Sequence, residues 1–236
     1  MKVVILCGGK GTRAYPFTEY LPKPMLPVDG TPILVQVMRL FASQGIRDFV
    51  LSVGYRKEVI EDYFEGKQTE WNVEFVDTGV ETNTGGRILG CKDVVGETFF
   101  ATYADGLANV SLRALLDFHQ SHEGLATITT VPLRSQYGTL VTDPSERVLS
   151  FREKPVLREH WINAGFFVLD RAVFEHWKGD DLEREVFPNL ASKGLVYGHR
   201  HDGFFKSMDS YKDQLEFEQL VRSGEAPWMK PLEPCE

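Results

Sequence analysis

Residues 3–13 read VVILCGGKGTR. Four β-branched or leucine side chains and a cysteine, with no polar interruption, describe a short strand buried on both faces. The glycines that follow let the chain leave that strand in a tight turn, and they leave room for backbone N–H groups to approach an anion that any Cβ would block. Arg13 adds a planar fork of donors suited to phosphate, and Lys10 a mobile point charge. The stretch is neither the GxxxxGK[ST] of a P-loop nor the GxGxxG of a dinucleotide fold. On its glycines alone, a plain turn behind a buried strand is an equal reading.

Working outward, similar short runs recur at 49–54 (FVLSVG), 71–77, 98–105 (TFFATYAD), 125–133, 163–170 (NAGFFVLD) and 195–201. Each is rich in β-branched and aromatic residues and closes on a turn or polar residue, as strands do. Helical patterns lie between them. Thr31-Pro32 reads as an N-cap with proline at N1, Ser111 as the cap of LRALLDFHQ, and Ser210 as the cap of YKDQLEFEQLVRS. Strands alternating with helices imply an α/β fold, Rossmann-like, with a mostly parallel (mixed) sheet flanked by helices. Ligands in such sheets bind beyond the carboxyl ends of the strands. The 7–13 turn, Asp105 and Asp209 all fall where that edge is expected. Residues 1–228 read as a single domain and 229–236 as an irregular tail.

The net charge of −8 has the wrong sign for a nucleic-acid binder, whose basic excess neutralises backbone phosphates. Three widely spaced cysteines form no CxxC pair and suit a reducing compartment. The apolar run at the N-terminus is too short for a signal peptide, and no run approaches membrane-spanning length. The expected setting is the cytoplasm, with no membrane partner.

LPKPM at 21–25 holds Lys23 between two prolines, which stiffen the backbone and restrict where its ammonium can go. Two aspartates at strand ends, Asp105 and Asp209, offer hard oxygen ligands of the kind that bind Mg²⁺ together with substrate phosphates. One such aspartate alone is more commonly a helix cap.

GGKGTR followed by LPKPMLPVDGTPIL resembles the signature of the sugar-1-phosphate nucleotidyltransferases. So do, in order, GYRKEVIEDYF (54–64), VDTGVETNTGGRI (76–88), TYADGLANV (102–110), FREKP (151–155), NAGFFVLD (163–170) and FFKSMDS (204–210). WNVEFVDTG, TGGRI and GEAPW are most similar to the glucose-1-phosphate cytidylyltransferase branch. The resemblance runs from residue 3 to about 228 and implies a nucleotide-diphospho-sugar transferase fold. It also implies roles. Gly8, Gly9, Gly11, Thr12 and Arg13 would wrap the phosphates of a nucleoside triphosphate, with Arg13 on the departing pyrophosphate and Lys23 near the α-phosphate. Thr84, Gly85, Gly86 and Arg87 would recognise the nucleotide, the glycines admitting close approach of base or ribose. Glu153 and Lys154 would meet the sugar and its phosphate, and Asn163 and Gly165 would shape the sugar pocket. Asp105 and Asp209 would hold Mg²⁺.

The implied reaction joins an NTP, CTP foremost, to a sugar 1-phosphate, α-D-glucose 1-phosphate foremost, giving an NDP-sugar and pyrophosphate. UTP, dTTP or GTP with another sugar phosphate is the alternative pair, and a non-catalytic nucleotide-sugar sensor is the alternative of another kind. A homo-oligomer is implied by resemblance only. The chain departs from the pattern at Ala14, Ala104 and Ala164, and EGKQTE (65–70) is shorter than the insertion that the cytidylyltransferase branch carries there, which bears on sugar choice and subunit contacts. Other residues have plainer readings. His119 and His122, a turn apart, read as helix surface; His199 and His201 as alternating strand positions; Tyr103 and Tyr137 as buried structural aromatics; Cys7 as a small inert hydrophobe.

Overall fold

The structure is a computed structural model that describes residues 1–12, 17–67, 70–232, 234 and 235. In chain order its strands are β1 (Lys2–Leu6), β2 (Pro27–Val28), β3 (Thr31–Pro32), β4 (Asp48–Val53), β5 (Asn72–Asp77), β6 (Thr98–Tyr103), β7 (Gly106–Ala108), β8 (Ala126–Arg134), β9 (Thr139–Thr142), β10 (Val148–Arg152), β11 (Val156–Asp170), β12 (Val196–Arg200) and β13 (Phe205–Ser207). The α-helices are α1 (Ile33–Ala42), α2 (Lys57–Phe64), α3 (Thr84–Gly90), α4 (Leu112–Gln120), α5 (Phe187–Ser192) and α6 (Tyr211–Arg222).

Seven strands form one sheet in the order β12-β8-β11-β6-β1-β4-β5. β1 is parallel to β4 and to β6, β4 to β5, and β8 to β12, while β11 runs antiparallel to both β6 and β8. The sheet is therefore mostly parallel and mixed, as expected. The chain leaves β1 towards β4 and later returns to β6 on the opposite side of β1. That reversal opens a crevice beyond the carboxyl end of β1.

Alternation within β1 shows why the sheet is covered twice. Val3 and Ile5 belong to a core with Phe41, Phe49, Phe100 and Phe166, whereas Val4 and Leu6 belong to another with Phe99, Phe167 and Leu169. A strand whose last four residues are all apolar sits centrally, because either face turned to water would expose apolar area at about 25 cal/mol per Å².

Both serine caps form. Ser111 Oγ accepts from Ala114 N, and Ser210 with Asp213 makes a reciprocal capping box. Thr31 is not a cap: it pairs with Val28 in the β2–β3 ladder, and α1 begins after an extended Pro32. β11 is longer than the NAGFFVLD run because its first half, of mixed polarity and largely exposed, pairs with the far end of β8. The β9–β10 hairpin likewise lacks the buried apolar pattern that marks the other strands. Residues 230–235 have no regular structure where described, yet Cys235 N donates to Gln44 O at 2.7 Å and its side chain is buried. No helix among the described residues is long and apolar enough to cross a membrane.

Candidate active site

A cavity of about 620 Å³ opens where the crevice was expected, lined by Leu6 and Cys7 at the end of β1 and by Thr102–Asp105 at the end of β6. It gathers ten of the residues singled out from sequence: Gly9, Gly11, Thr12, Lys23, Thr84, Arg87, Asp105, Asn163, Gly165 and Asp209. Gly8, Gly85 and Gly86 lie behind its wall. Arg13 lies outside the described residues.

Lys23 is the hub. Its Nζ donates to Asp105 Oδ2 at 2.5 Å and to Asp209 Oδ1 at 2.9 Å, and the lysine is only 7% exposed. The two carboxylates, 104 positions apart in sequence, meet because β7 and β13 pair antiparallel, with Ser207 opposite Gly106. Met208 N then donates to Asp105 O at 2.9 Å, which sets Asp209 beside Asp105. Ser207 Oγ donates to Asp209 Oδ2, and Asp209 N to Asp213 Oδ2 in the cap of α6. The glycine-rich turn is fitted to the same lysine. Gly11 has a φ of +62°, and a Cβ there would stand 2.8 Å from Lys23 Cβ. Lys23 is itself set by a short 3₁₀ turn, Lys23–Met25, preceded by an extended Pro22.

One ammonium bridges two carboxylates at the cavity wall. Among the described residues no group of three or more His, Cys, Asp or Glu side chains gathers as a closed metal cage. Two carboxylates with the remaining positions left to substrate oxygens is the donor set that Mg²⁺ takes beside phosphates, so Asp105 and Asp209 fit that ion.

Opposite this group stands a second polar cluster. Glu183, after α3 in sequence but packed against it, accepts from the Tyr103 hydroxyl and from Thr84 Oγ1, the latter at 2.7 Å. Thr84 Oγ1 also accepts from Leu182 N, while Asn163 Nδ2 donates to the Tyr103 oxygen and Asn163 Oδ1 accepts from Gly165 N. Burial, and then the neighbouring Glu183 carboxylate, raises the Tyr103 pKa, which keeps the phenol a donor. The cluster links the side of the cavity expected to hold nucleotide (Thr84) with the side expected to hold sugar (Asn163, Gly165). Sequence reading missed Glu183. DDLEREV looks like an acidic helix start, and nothing local marks its fourth residue, Glu183, as facing a threonine 99 positions away.

Comparison with known proteins places this geometry. The Nucleotidyl transferase family model matches residues 2–199. The chain belongs to the nucleotidyl transferase family. It is 38% identical over 253 residues to the Bacillus subtilis (strain 168) protein named "Probable glucose-1-phosphate cytidylyltransferase", covering 97% of this chain and 99% of that one. It is 37% identical over 254 residues to the glucose-1-phosphate cytidylyltransferase of Salmonella typhi, covering 97% and 98%. The 253-residue span exceeds the 236 residues of this chain, so the relative carries residues that this chain lacks. In fold it is similar to UDP-glucose pyrophosphorylase complexed with UDP-glucose, with a TM-score of 0.71 at 19% identity over 94% of this chain and 98% of the other.

Within this nucleotidyl transferase the structure revises several readings. Gly85 and Gly86 are small because protein, not ligand, fills the space. A Cβ at Gly85 would stand 2.8 Å from Asp180 O, and one at Gly86 would stand 1.9 Å from Asp180 Oδ1. Glu153 and Lys154 do not reach the cavity wall. They sit exposed in the connection between β10 and β11, with Lys154 Nζ 3.9 Å from Glu153 Oε1. Tyr137 is 77% exposed, whereas Tyr103 is the aromatic that lines the cavity. His119 is buried rather than on the helix surface, its Nδ1 2.8 Å from Thr127 Oγ1. His201 bonds to Asn109 Oδ1, and His199 Nδ1 is buried with no hydrogen-bond partner among the described residues. Cys7 is buried, and that burial pushes its thiol far up, as its reading as an inert hydrophobe requires.

Proposed function

We propose that this nucleotidyl transferase acts on a sugar 1-phosphate, with CTP as nucleotide donor and α-D-glucose 1-phosphate as acceptor. The single observation that carries the reading is the convergence of Asp105 and Asp209 on Lys23, between the glycine-rich turn and the Asn163–Gly165 turn. The substrate pair is supported by the names of the relatives matched over nearly the whole chain.

A sugar phosphate is already an anionic nucleophile near neutral pH, so no activated serine, cysteine or histidine is needed. A phosphate oxygen of the sugar phosphate forms the new bond to the α-phosphorus, the bond to the β-phosphate bridge breaks, and pyrophosphate leaves with the electron pair. The protein's share of such a step is alignment and charge stabilisation. Lys23 is held within reach of the α-phosphate by the two prolines and Gly11. The Asn163–Gly165 turn shapes the acceptor side. Arg13 is assigned to the leaving pyrophosphate by resemblance. Mg²⁺ on Asp105 and Asp209 supplies charge neutralisation of the triphosphate. The expected setting is the cytoplasm, and a homo-oligomer is tested by light scattering.

The test is a pyrophosphate-release panel crossing CTP, UTP, dTTP, GTP and ATP with several sugar 1-phosphates. CTP with glucose 1-phosphate is expected to give the highest kcat/KM, and D105A and D209A to lose turnover by about a thousandfold or more. A different best pair overturns the substrate assignment; near-normal turnover in both variants overturns the role of the carboxylates.

A further inference from the structure

Arg87 is 3% exposed, and both terminal nitrogens of its guanidinium donate to the protein. Nη1 donates to Thr78 Oγ1 at 2.9 Å, to Gly79 O at 3.0 Å and to Val53 O at 3.4 Å; Nη2 donates to Gly8 O at 2.9 Å and to Val80 O at 3.3 Å. These acceptors come from the glycine-rich turn, the end of β4 and the β5–α3 connection. None of them is a carboxylate, so a buried positive charge is spent on four carbonyls and a hydroxyl, an arrangement with a large desolvation cost. An arginine so occupied has little left with which to read a base.

Its contact with Gly8 explains what it does instead. Gly8 is a glycine because of Arg87: a Cβ there would lie 1.8 Å from Nη1 and 2.5 Å from Cζ. The Gly8 carbonyl is drawn inward by Arg87 and by Tyr55 N, which donates to it at 3.0 Å. In a planar trans peptide the N–H of the next residue points opposite to that carbonyl. The next residue is Gly9, which lines the cavity, has open space where a Cβ would stand, and has no acceptor for its N–H among the described residues.

We propose that Arg87 is a positioning residue for the nucleotide: by holding the Gly8 carbonyl inward it aims the Gly9 N–H at a phosphate of the bound triphosphate. Its buried charge behind the same peptide adds to the attraction for that anion. The inference rests on the nucleotidyl-transfer reading and deepens it by moving Arg87 from direct nucleotide recognition to the support of the phosphate cradle. Because Tyr55 N also holds Gly8 O, removal of Arg87 loosens this peptide without freeing it.

The experiment compares wild type, R87K, R87A and G8A, using CTP and glucose 1-phosphate as probes, by steady-state pyrophosphate release and by calorimetric binding of CTP. All three variants are expected to raise the KM and Kd for CTP roughly tenfold to a hundredfold, the worth of one charge-assisted hydrogen bond, with the KM for glucose 1-phosphate within about twofold of wild type. Lysine fails as a substitute because it lacks the planar fork. Guanidinium ion is expected to recover CTP affinity in R87A and not in G8A. Unchanged CTP affinity in R87K and R87A overturns the proposal, as does an equal loss for both substrates, which signals general loosening. Where R87A does not fold, R87K and G8A decide by the same criteria. If wild type itself releases no pyrophosphate from any NTP, the nucleotidyl-transfer reading fails and takes the inference with it; that result is read on wild type and is distinct from any variant effect.

Discussion

Replacing Lys23 by methionine keeps the length of the side chain and removes its charge. The contacts of 2.5 and 2.9 Å put Asp105 Oδ2 and Asp209 Oδ1 at most 5.4 Å apart, the sum of the two. Two like charges at that distance repel by about 3 kcal/mol at an effective dielectric of about 20. The Asp209 side chain is 35% exposed, so solvent screens part of this, and a net destabilisation of about 2 kcal/mol is expected. For a chain of this size that is a fall in Tm of roughly 4–8 °C. A divalent cation replaces the missing charge, so Mg²⁺ at about ten times its Kd should return about 1.4 kcal/mol to K23M and less to wild type, where the ammonium competes for the same oxygens. The assay is thermal and urea unfolding of both proteins with and without MgCl₂, the ionic strength matched with NaCl. A variant as stable as wild type would refute the electrostatic reasoning. Equal stabilisation of both by Mg²⁺ would refute the placing of the ion on this carboxylate pair.

Three further outcomes follow from the structure. Gly165 has a φ of +77°, and a Cβ there would meet the Tyr103 ring at 2.4 Å; G165A should lose about 1–2 kcal/mol from the backbone alone and raise the KM for the sugar phosphate, read by urea unfolding and steady-state kinetics. Gly124 N donates to His122 Nδ1, so the neutral ring carries its proton on Nε2 and gives it to Thr127 Oγ1 at 2.8 Å, whose own proton goes to His119 Nδ1. Burial and then His119 lower the His122 pKa, and burial lowers those of His199 and His201. A histidine whose folded pKa lies below its unfolded value binds fewer protons folded than unfolded. Stability should therefore be greatest above the ordinary histidine pKa of about 6.5 and fall as pH drops through it, with H122Q flattening the urea midpoint between about pH 5.5 and 7.5. A midpoint that rises on acidification contradicts this. All three cysteines are buried, and burial raises the Cys7 and Cys235 thiols and pushes Cys91 up to about 12, so Ellman's reagent should label none in the native protein and all three in urea.

What the sequence determined by itself was whatever local periodicity and chemistry carry. An unbroken apolar run made β1 central, the Ser111 and Ser210 caps opened α4 and α6, and alternation of strand and helix set the parallel part of the sheet. Lys23, Asp105 and Asp209 stood out because rigid prolines and strand-end carboxylates are visible one residue at a time. Tertiary structure decided what depended on partners far along the chain. Gly85 and Gly86 looked like room for a ligand until Asp180 filled that room, and Arg87 looked like a direct nucleotide contact until five acceptors from three segments met its terminal nitrogens. Glu183 is indistinguishable from any acidic helix start until Thr84 and Tyr103 reach it, and Glu153 and Lys154 stand exposed in the β10–β11 connection, apart from the residues that line the cavity. A glycine or a charge in a sequence records that space or a counterpart is needed, and only the packed fold says whether protein or ligand supplies it.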